Sequence, residues 1–439
     1  MHMQVEIIHI PNLAIIRPCT GQICSQRAPP DDIFISPRYI TASSSWPSFI
    51  THNKIVMKKH LLIGGLSVLL FLSSCSKKGG GDDPEPEPPD VEQKDITGID
   101  NSIAAFMSKY SIPGVQVAIT KNEKLVYVKS YGINGGTDNA PINNNNLFRL
   151  ASVSKPITAL GIMKLVETGK LTLDQKVFGT GSILGTDFPS TRLASFSDIT
   201  VKQLLTHATG AWPNDGNDPM FLQTQLNQSK LISWTLDNQP AGTRGVYRYS
   251  NFGYCLLGRI IEKVSGKQYE KFMKEDVLAP AGANGMQIGR SKLNERLPNE
   301  VMYNGQNGEN PYIYDYPRMD AHGGWIASAT DLMRMLVKYD GFGGKTDLLK
   351  PATLQSMTTV GVANSGYACG WQVNSLNNWF HQGSLPGTAT NLVRTAKGYN
   401  WVILCNSRSR LAGFQTALDG LIWPSVNATD TPWQDIDQF

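Results

Sequence analysis

The chain carries almost no excess charge of either sign. Its 439 residues hold 40 Lys and Arg against 36 Asp and Glu, a formal +4. Residues 1–74 contain six of those basic and three of those acidic side chains, leaving 34 against 33 in the 365 residues that follow. Such a balance offers no basic field, which excludes nucleic acid as a partner. Cysteine is scarce too. Cys19, Cys24 and Cys75 lie near the chain start, and only Cys255, Cys369 and Cys405 lie beyond. An odd count argues against a disulfide framework. The three read as free buried thiols, with a Cys369–Cys405 pair left open because both fall in predicted strands. No Cys/His spacing suggests a zinc site. The one long apolar run, 61–72, is interrupted by Gly64, Gly65 and Ser67. It falls short of the roughly 18 residues that suggest a membrane-spanning helix.

That run has another reading. Lys58 and Lys59 precede it, and Leu72-Ser73-Ser74-Cys75 ends it. Basic flank, apolar stretch and small residues make 57–74 a secretory signal peptide. The ending resembles a bacterial lipobox, which implies lipid on the Cys75 sulfur and removal of everything before it. The protein is then anchored to a bacterial membrane, facing the periplasm or cell exterior. A buried core helix is the rival reading, but 75–94 continues as an acidic Pro/Gly linker, unlike the surroundings of a core helix. Residues 1–56 show no sustained period and read as an over-extended start, with a genuine extension as the alternative.

Residues 95–425 read as one folded domain and 426–439 as a C-terminal tail. A helix is expected at 99–110, and a hairpin over 115–120 and 124–130. A polar loop spans 134–146, and a helix opening at Ser152 runs to a Gly169 stop. Pro156 is tolerated there because it lies in the first turn. The middle, roughly 170–320, is a loop-rich helical lobe with a clear helix at 251–264. Helices at 330–339 and 351–357 follow. Strands are expected at 367–373, 378–382, 390–394 and 401–405, then a closing helix at 411–421. The fold class is α+β: an antiparallel sheet built from both chain ends and flanked by helices, with a mostly helical lobe inserted.

Three motifs carry chemistry. Ser152-Val153-Ser154-Lys155 puts a serine and a lysine on one helix face, so the amine can take the serine proton. Alone it is weak, since Ser74-Cys75-Ser76-Lys77 also fits. Tyr249-Ser250-Asn251 supplies a phenol as proton shuttle, its pKa expected to fall beside an ammonium. Asn251 suits either a substrate amide or the lysine; a plain helix cap is the other reading. His381-Gln382-Gly383-Ser384 follows an extended run. Gly383 allows close approach of a substrate, and the Ser384 N–H pairs with that of Ser152 as an oxyanion hole. His322-Gly323-Gly324 is a rival with the same spacing. His207 reads as a hydrogen-bonded histidine behind the site, Asp215 and Asp218 as turn residues, and Trp325 and Trp371 as core.

Together these motifs resemble the serine β-lactamase and penicillin-binding protein superfamily, in its class C-like branch, over about 96–421. Gly169-Lys170-Leu171-Thr172-Leu173-Asp174 and Gly323-Gly324-Trp325-Ile326-Ala327-Ser328 also look familial. The resemblance implies a β-lactamase-like fold. It implies acyl-enzyme chemistry with Ser152, Lys155 and Tyr249 as catalytic residues and Asn251, His381, Gly383 and Ser384 binding substrate. No metal or organic cofactor is called for. Where true β-lactamases have Lys-Thr-Gly, this chain has His381-Gln382-Gly383. An unperturbed histidine grips a carboxylate only near or below about pH 6.5, which points to esters or D-amino-acid amides and peptides rather than penicillins. If His381 is not the carboxylate reader, an arginine or lysine from the loops is the next candidate. The partner is a small-molecule or peptide substrate, with the membrane reached through Cys75 and the protein a monomer. The alternatives are a sensor that acylates or docks a cell-wall peptide without turnover, and a surface scaffold.

Overall fold

Helix α1 (Thr97–Tyr110) buries Ile99, Ile103, Phe106 and Tyr110, spaced four, three and four residues apart, so one stripe faces the protein. This is the start of the region described by the computed structural model, residues 93–439. The signal peptide, Cys75 and the linker as far as residue 92 lie outside the described residues.

After α1 come β1 (Gly114–Lys121) and β2 (Lys124–Gly135). Their turn holds Asn122 and Glu123 at φ of 50° and 63°, the left-handed pair that a tight hairpin needs. The expected polar loop contains one more short strand, β3 (Asp138–Pro141). Strand β4 (Phe148–Arg149) then leads through a 3₁₀ turn, Ala151–Val153, into α2 (Ser154–Glu167). Ser152 therefore sits on the 3₁₀ turn rather than in the α-helix proper.

The inserted lobe carries α3 (Val201–Leu205), α4 (Pro219–Leu222), α5 (Gln228–Asn238), α6 (Asn251–Ser265) and α7 (Tyr269–Phe272). Strand β5 (Gln287–Ile288), α8 (Asp320–Gly323) and β6 (Trp325–Ala327) return the chain toward the sheet. Helices α9 (Ala329–Leu336) and α10 (Pro351–Thr358) precede the final strands β7 (Gln372–Val373), β8 (Trp379–Leu385), β9 (Thr388–Arg394) and β10 (Tyr399–Cys405). Helices α11 (Phe414–Gly420) and α12 (Trp423–Asn427) close the chain.

The main sheet runs β3-β2-β1-β10-β9-β8-β7, all antiparallel. First and last strands are neighbours, with Val117 opposite Ile403. Successive side chains of β1 serve two cores. Val115, Val117 and Ile119 pack with α1, Phe414 and Leu418, whereas Ala118 faces the larger core that includes α2 and α6.

Residues 367–373 do not form one strand. Gly370 turns the chain at φ 80°, and a Cβ there would meet Ala159 Cβ at 2.7 Å, so only glycine lets this turn pack on α2. Cys369 consequently lies in the turn, and Cys255, Cys369 and Cys405 are free and buried. Trp325 and Trp371 are core. The tail returns to the sheet: Gln438 N–H donates to Leu125 O at 3.0 Å, and Asp437 accepts from Leu125 N–H at 3.1 Å.

Candidate active site

The turn carrying Ser152 is fastened from below. Thr388 Oγ1 donates to Arg149 O and Thr390 Oγ1 to Leu150 O, both at 2.9 Å. Ala151 is held at φ 48°, a left-handed conformation costing an ordinary residue on the order of 1–3 kcal/mol. The reversal leaves Ser152 half-buried in a cleft of about 50 Å³, which it shares with Asn251, His322, Gly323, Ser384 and Leu385.

Lys155 is completely buried. Its Nζ donates to Asn251 Oδ1 at 2.7 Å, His322 O at 2.9 Å and Ser152 Oγ at 3.1 Å. Burial lowers its pKa to about 7, opposed by the Asp218 carboxylate. When the amine is neutral it keeps two hydrogens and one lone pair. Two of its partners, an amide oxygen and a carbonyl, can only accept. The lone pair is therefore left facing Ser152, whose hydroxyl must donate.

Asn251 opens α6 with its amide fully used. Besides accepting from Lys155, it donates through Nδ2 to Asp218 Oδ2 at 2.7 Å and to Asn214 Oδ1 at 3.1 Å. It has no donor left for a substrate amide, so it holds the lysine instead. Asp218 is not merely a turn residue. It is 1% exposed, caps α4 through Met220 N–H at 2.9 Å, and burial raises its pKa to about 6.

Tyr249 shares a hydrogen bond with Ser152, yet burial pushes its pKa up, not down. The lysine lies over the ring face, 4.8 Å from the centroid, and is itself only weakly basic. The phenol stays protonated and can act as a proton donor.

His381 is 2% exposed and its pKa falls to about 3, chiefly through burial and then through Lys155. It cannot be the protonated carboxylate reader expected from the sequence. Its Nδ1–H donates to Gln382 O at 2.8 Å, so Nε2 accepts from the Tyr367 hydroxyl at 3.2 Å. Tyr367 in turn accepts from His207 Nε2–H at 3.1 Å, because His207 Nδ1 takes the Ser250 N–H. A one-way line of neutral hydrogen bonds thus joins the start of α6 to β8. His322 contributes its carbonyl to Lys155, and burial holds its ring well below the usual histidine pKa.

Strand β8 forms the opposite wall. A Cβ on Gly383 would come within 2.2 Å of Leu150 O and 3.1 Å of Ser152 N, so glycine lets the strand lie on the turn that carries Ser152. Ser384 comes next, and its Oγ accepts from Arg408 Nη1 at 3.1 Å. Arg408 and Arg410 both pair with Glu309, leaving one net positive charge beside the cleft. Sequence reasoning missed Asp218, Tyr367 and Arg408. Asp218-Pro219, an acid before a proline, did carry a helix-start signal. Among the described residues, no three His, Cys, Asp or Glu side chains cluster as a metal site.

Comparison with known proteins supplies context. Residues 99–420 match the family model described as Beta-lactamase. Penicillin-binding protein 4* of Bacillus subtilis (strain 168) is 27% identical over 321 residues, covering 67% of this chain and 68% of that protein. A class C beta-lactamase structure superposes with a TM-score of 0.61 at 22% identity, over 78% of this chain and 99% of that one. A D-amino acid amidase from Ochrobactrum anthropi SV3, complexed with L-phenylalanine amide, gives 0.61 at 20% identity, over 75% and 98%. The two structures establish likeness of fold alone. The chain spans 63–68% of the length of curated relatives that it matches.

Proposed function

Because the chain belongs to the beta-lactamase family, we propose that it is a serine hydrolase acting through an acyl-enzyme on an ester or a D-amino-acid amide or peptide. The observation that carries this reading is the lysine whose lone pair is left facing the Ser152 hydroxyl at 3.1 Å.

In the first step Ser152 Oγ attacks the substrate carbonyl carbon while its proton passes to Lys155 Nζ. The oxyanion is held by the N–H groups of Ser152 and Ser384. Tyr249 then gives its proton to the departing alcohol or amine, and the phenolate is reprotonated by way of water in the cleft as the Lys155 ammonium loses its proton, so both groups are neutral again. In the second step water attacks the acyl carbon. His381 has its Nε2 occupied and Tyr249 is protonated, so Lys155 takes the water proton and returns it to Ser152 Oγ as the bond between that oxygen and the acyl carbon breaks. An uncharged ester or amide needs nothing further. A substrate bearing a carboxylate would meet Arg408 rather than a histidine. Residues 57–75 support a lipid anchor at Cys75 and a place on the outer side of a bacterial membrane.

The test is fluorophosphonate labelling of Ser152 together with a hydrolysis panel: short-chain nitrophenyl esters, D-Ala-D-Ala peptides, D-amino-acid amides and a chromogenic cephalosporin. Turnover of an ester or D-amide is expected, with slow cephalosporin hydrolysis. A single stoichiometric burst without turnover would instead identify a sensor, and an unlabelled Ser152 would sink the hydrolase reading.

A further inference from the structure

A carboxylate one amide away from a catalytic lysine has a consequence for the base. Asp218 Oδ2 accepts from Asn251 Nδ2 at 2.7 Å, and Asn251 Oδ1 accepts from Lys155 Nζ at the same distance. An ionised carboxylate can only accept, so it fixes which end of the amide faces it, and therefore which end faces the lysine. The other titratable groups acting on Lys155 or packed around it are Tyr249 and Tyr254 from α6 and the turn before it, His207 after α3, His322 on α8 and His381 on β8. All five are neutral at pH 7. Asp215 acts on Asp218 from the exposed loop.

We propose that Asp218 is a positioning residue for the general base: through the Asn251 amide it orients Lys155 and keeps the amine basic enough to take the serine proton. A lysine buried with no anion nearby becomes a feeble base, and proton transfer is most efficient when the base titrates near the working pH. The Asp218 anion opposes the effect of burial on Lys155, which leaves the amine at about 7. The part Asp218 plays in turnover rests on the serine-hydrolase reading; its hold on Lys155 does not.

Two variants of the full chain separate this from the capping role of Asp218. Asp218→Asn removes the charge with little change of shape. Asp218→Ser also removes it, while its hydroxyl can still cap Met220 N–H. The first readout is the titration midpoint of Lys155, followed by NMR of lysine labelled at the ε-carbon and assigned with Lys155→Arg. The second is the pH dependence of Ser152 labelling by a fluorophosphonate, in which the Oγ–P bond forms, fluoride leaves and the serine proton goes to Lys155. In both variants the Lys155 midpoint is expected to fall by about one pH unit. The acid limb of labelling should follow it downward, and the plateau rate at pH 8 should fall about three- to tenfold because the base is weaker. Loss of a cap alone would lower yield or melting temperature and leave the midpoint where it was. A midpoint that stays put, or rises, in both variants overturns the proposal. If wild-type Ser152 is never labelled, the hydrolase reading fails, and the NMR midpoint still decides the role of Asp218.

Discussion

Lys155 lies closer to Asn251 than to Ser152, with Nζ 2.7 Å from the amide oxygen and 3.1 Å from the serine hydroxyl. The amine is therefore held closely by a fixed acceptor and approaches the serine hydroxyl more loosely. Motion of the serine proton does not require the lysine to move.

That arrangement makes both residues indispensable. Ser152→Ala should abolish covalent labelling and turnover with the fold intact. Lys155→Arg should lose about 10²–10⁴-fold in kcat/KM, because a guanidinium stays protonated near neutrality. Esterase assays checked by circular dichroism measure both. Arginine at position 155 with most activity retained would move the base elsewhere.

The pH profile follows from the same geometry. Lys155 must be neutral to act, so kcat/KM for an uncharged ester should climb as pH rises through about 7. Tyr249 must keep its proton, and burial raises its pKa. No alkaline limb from Tyr249 is expected below pH 10. A fall in activity between pH 8 and 9.5 in stable protein would contradict the protonated phenol.

Recognition of carboxylates should depend on Arg408 and not on His381. Arg408→Gln should raise KM for a carboxylate-bearing ester by about 10- to 100-fold, the worth of a hydrogen bond to a charged group. A neutral ester should change little. Between pH 5.5 and 9 the ratio of the two substrates in wild type should stay flat, since burial keeps His381 neutral throughout. A rise in carboxylate preference toward pH 6 would restore a protonated histidine.

Stability should fall in acid. His207, His322 and His381 are buried with depressed pKa values, whereas in the unfolded chain each takes a proton near pH 6.5. Below that pH the unfolded state binds more protons, so the stability these groups contribute above pH 6.5 is lost as pH drops toward the folded values. Each costs about 1.4 kcal/mol per pH unit over that window. Asp218 and Asp340, raised by burial to about 6 and about 7, work the other way, as does the raised Asp347, so the decline is shallower than three imidazoles alone would give. Thermal melts from pH 7 to 4.5 should show a net decline. His381→Asn should flatten the slope by about one proton.

The anchor is tested separately. Membrane-extracted protein should begin at a lipid-modified Cys75 by intact mass. A soluble product beginning at Met1 would refute both the signal peptide and the reading of residues 1–56 as an over-extended start.

The sheet drawn from both chain ends was legible because the hairpin and the final strands are short runs rich in apolar and β-branched residues bounded by turn residues, and Ser152 and Lys155 because three-residue spacing survives a change from α to 3₁₀ geometry. What escaped the sequence depends on distant contacts. Asp218 sits in a Pro/Asn/Gly-rich stretch and gains its meaning only from Asn251, 33 positions later. The protonation of His381 is set by burial and by Lys155, and the stretch around its partner Tyr367 looks like a plain strand until Gly370 bends it. The effect of Lys155 on Tyr249 was misjudged because adjacency does not tell a ring face from a hydroxyl.

The pairing of β1 with β10 also bears on when activity can begin. A ribosome releases Ser152, Lys155 and Tyr249 long before β8 and β9 exist. Until those strands form, Gly383 does not lie against the nucleophile turn, and Thr388 and Thr390 do not pin it. Most of the chain must be synthesised, and its two ends brought together, before the serine has a working cleft. Long-range strand pairing of this kind is slow, so the nascent protein passes through synthesis chemically silent.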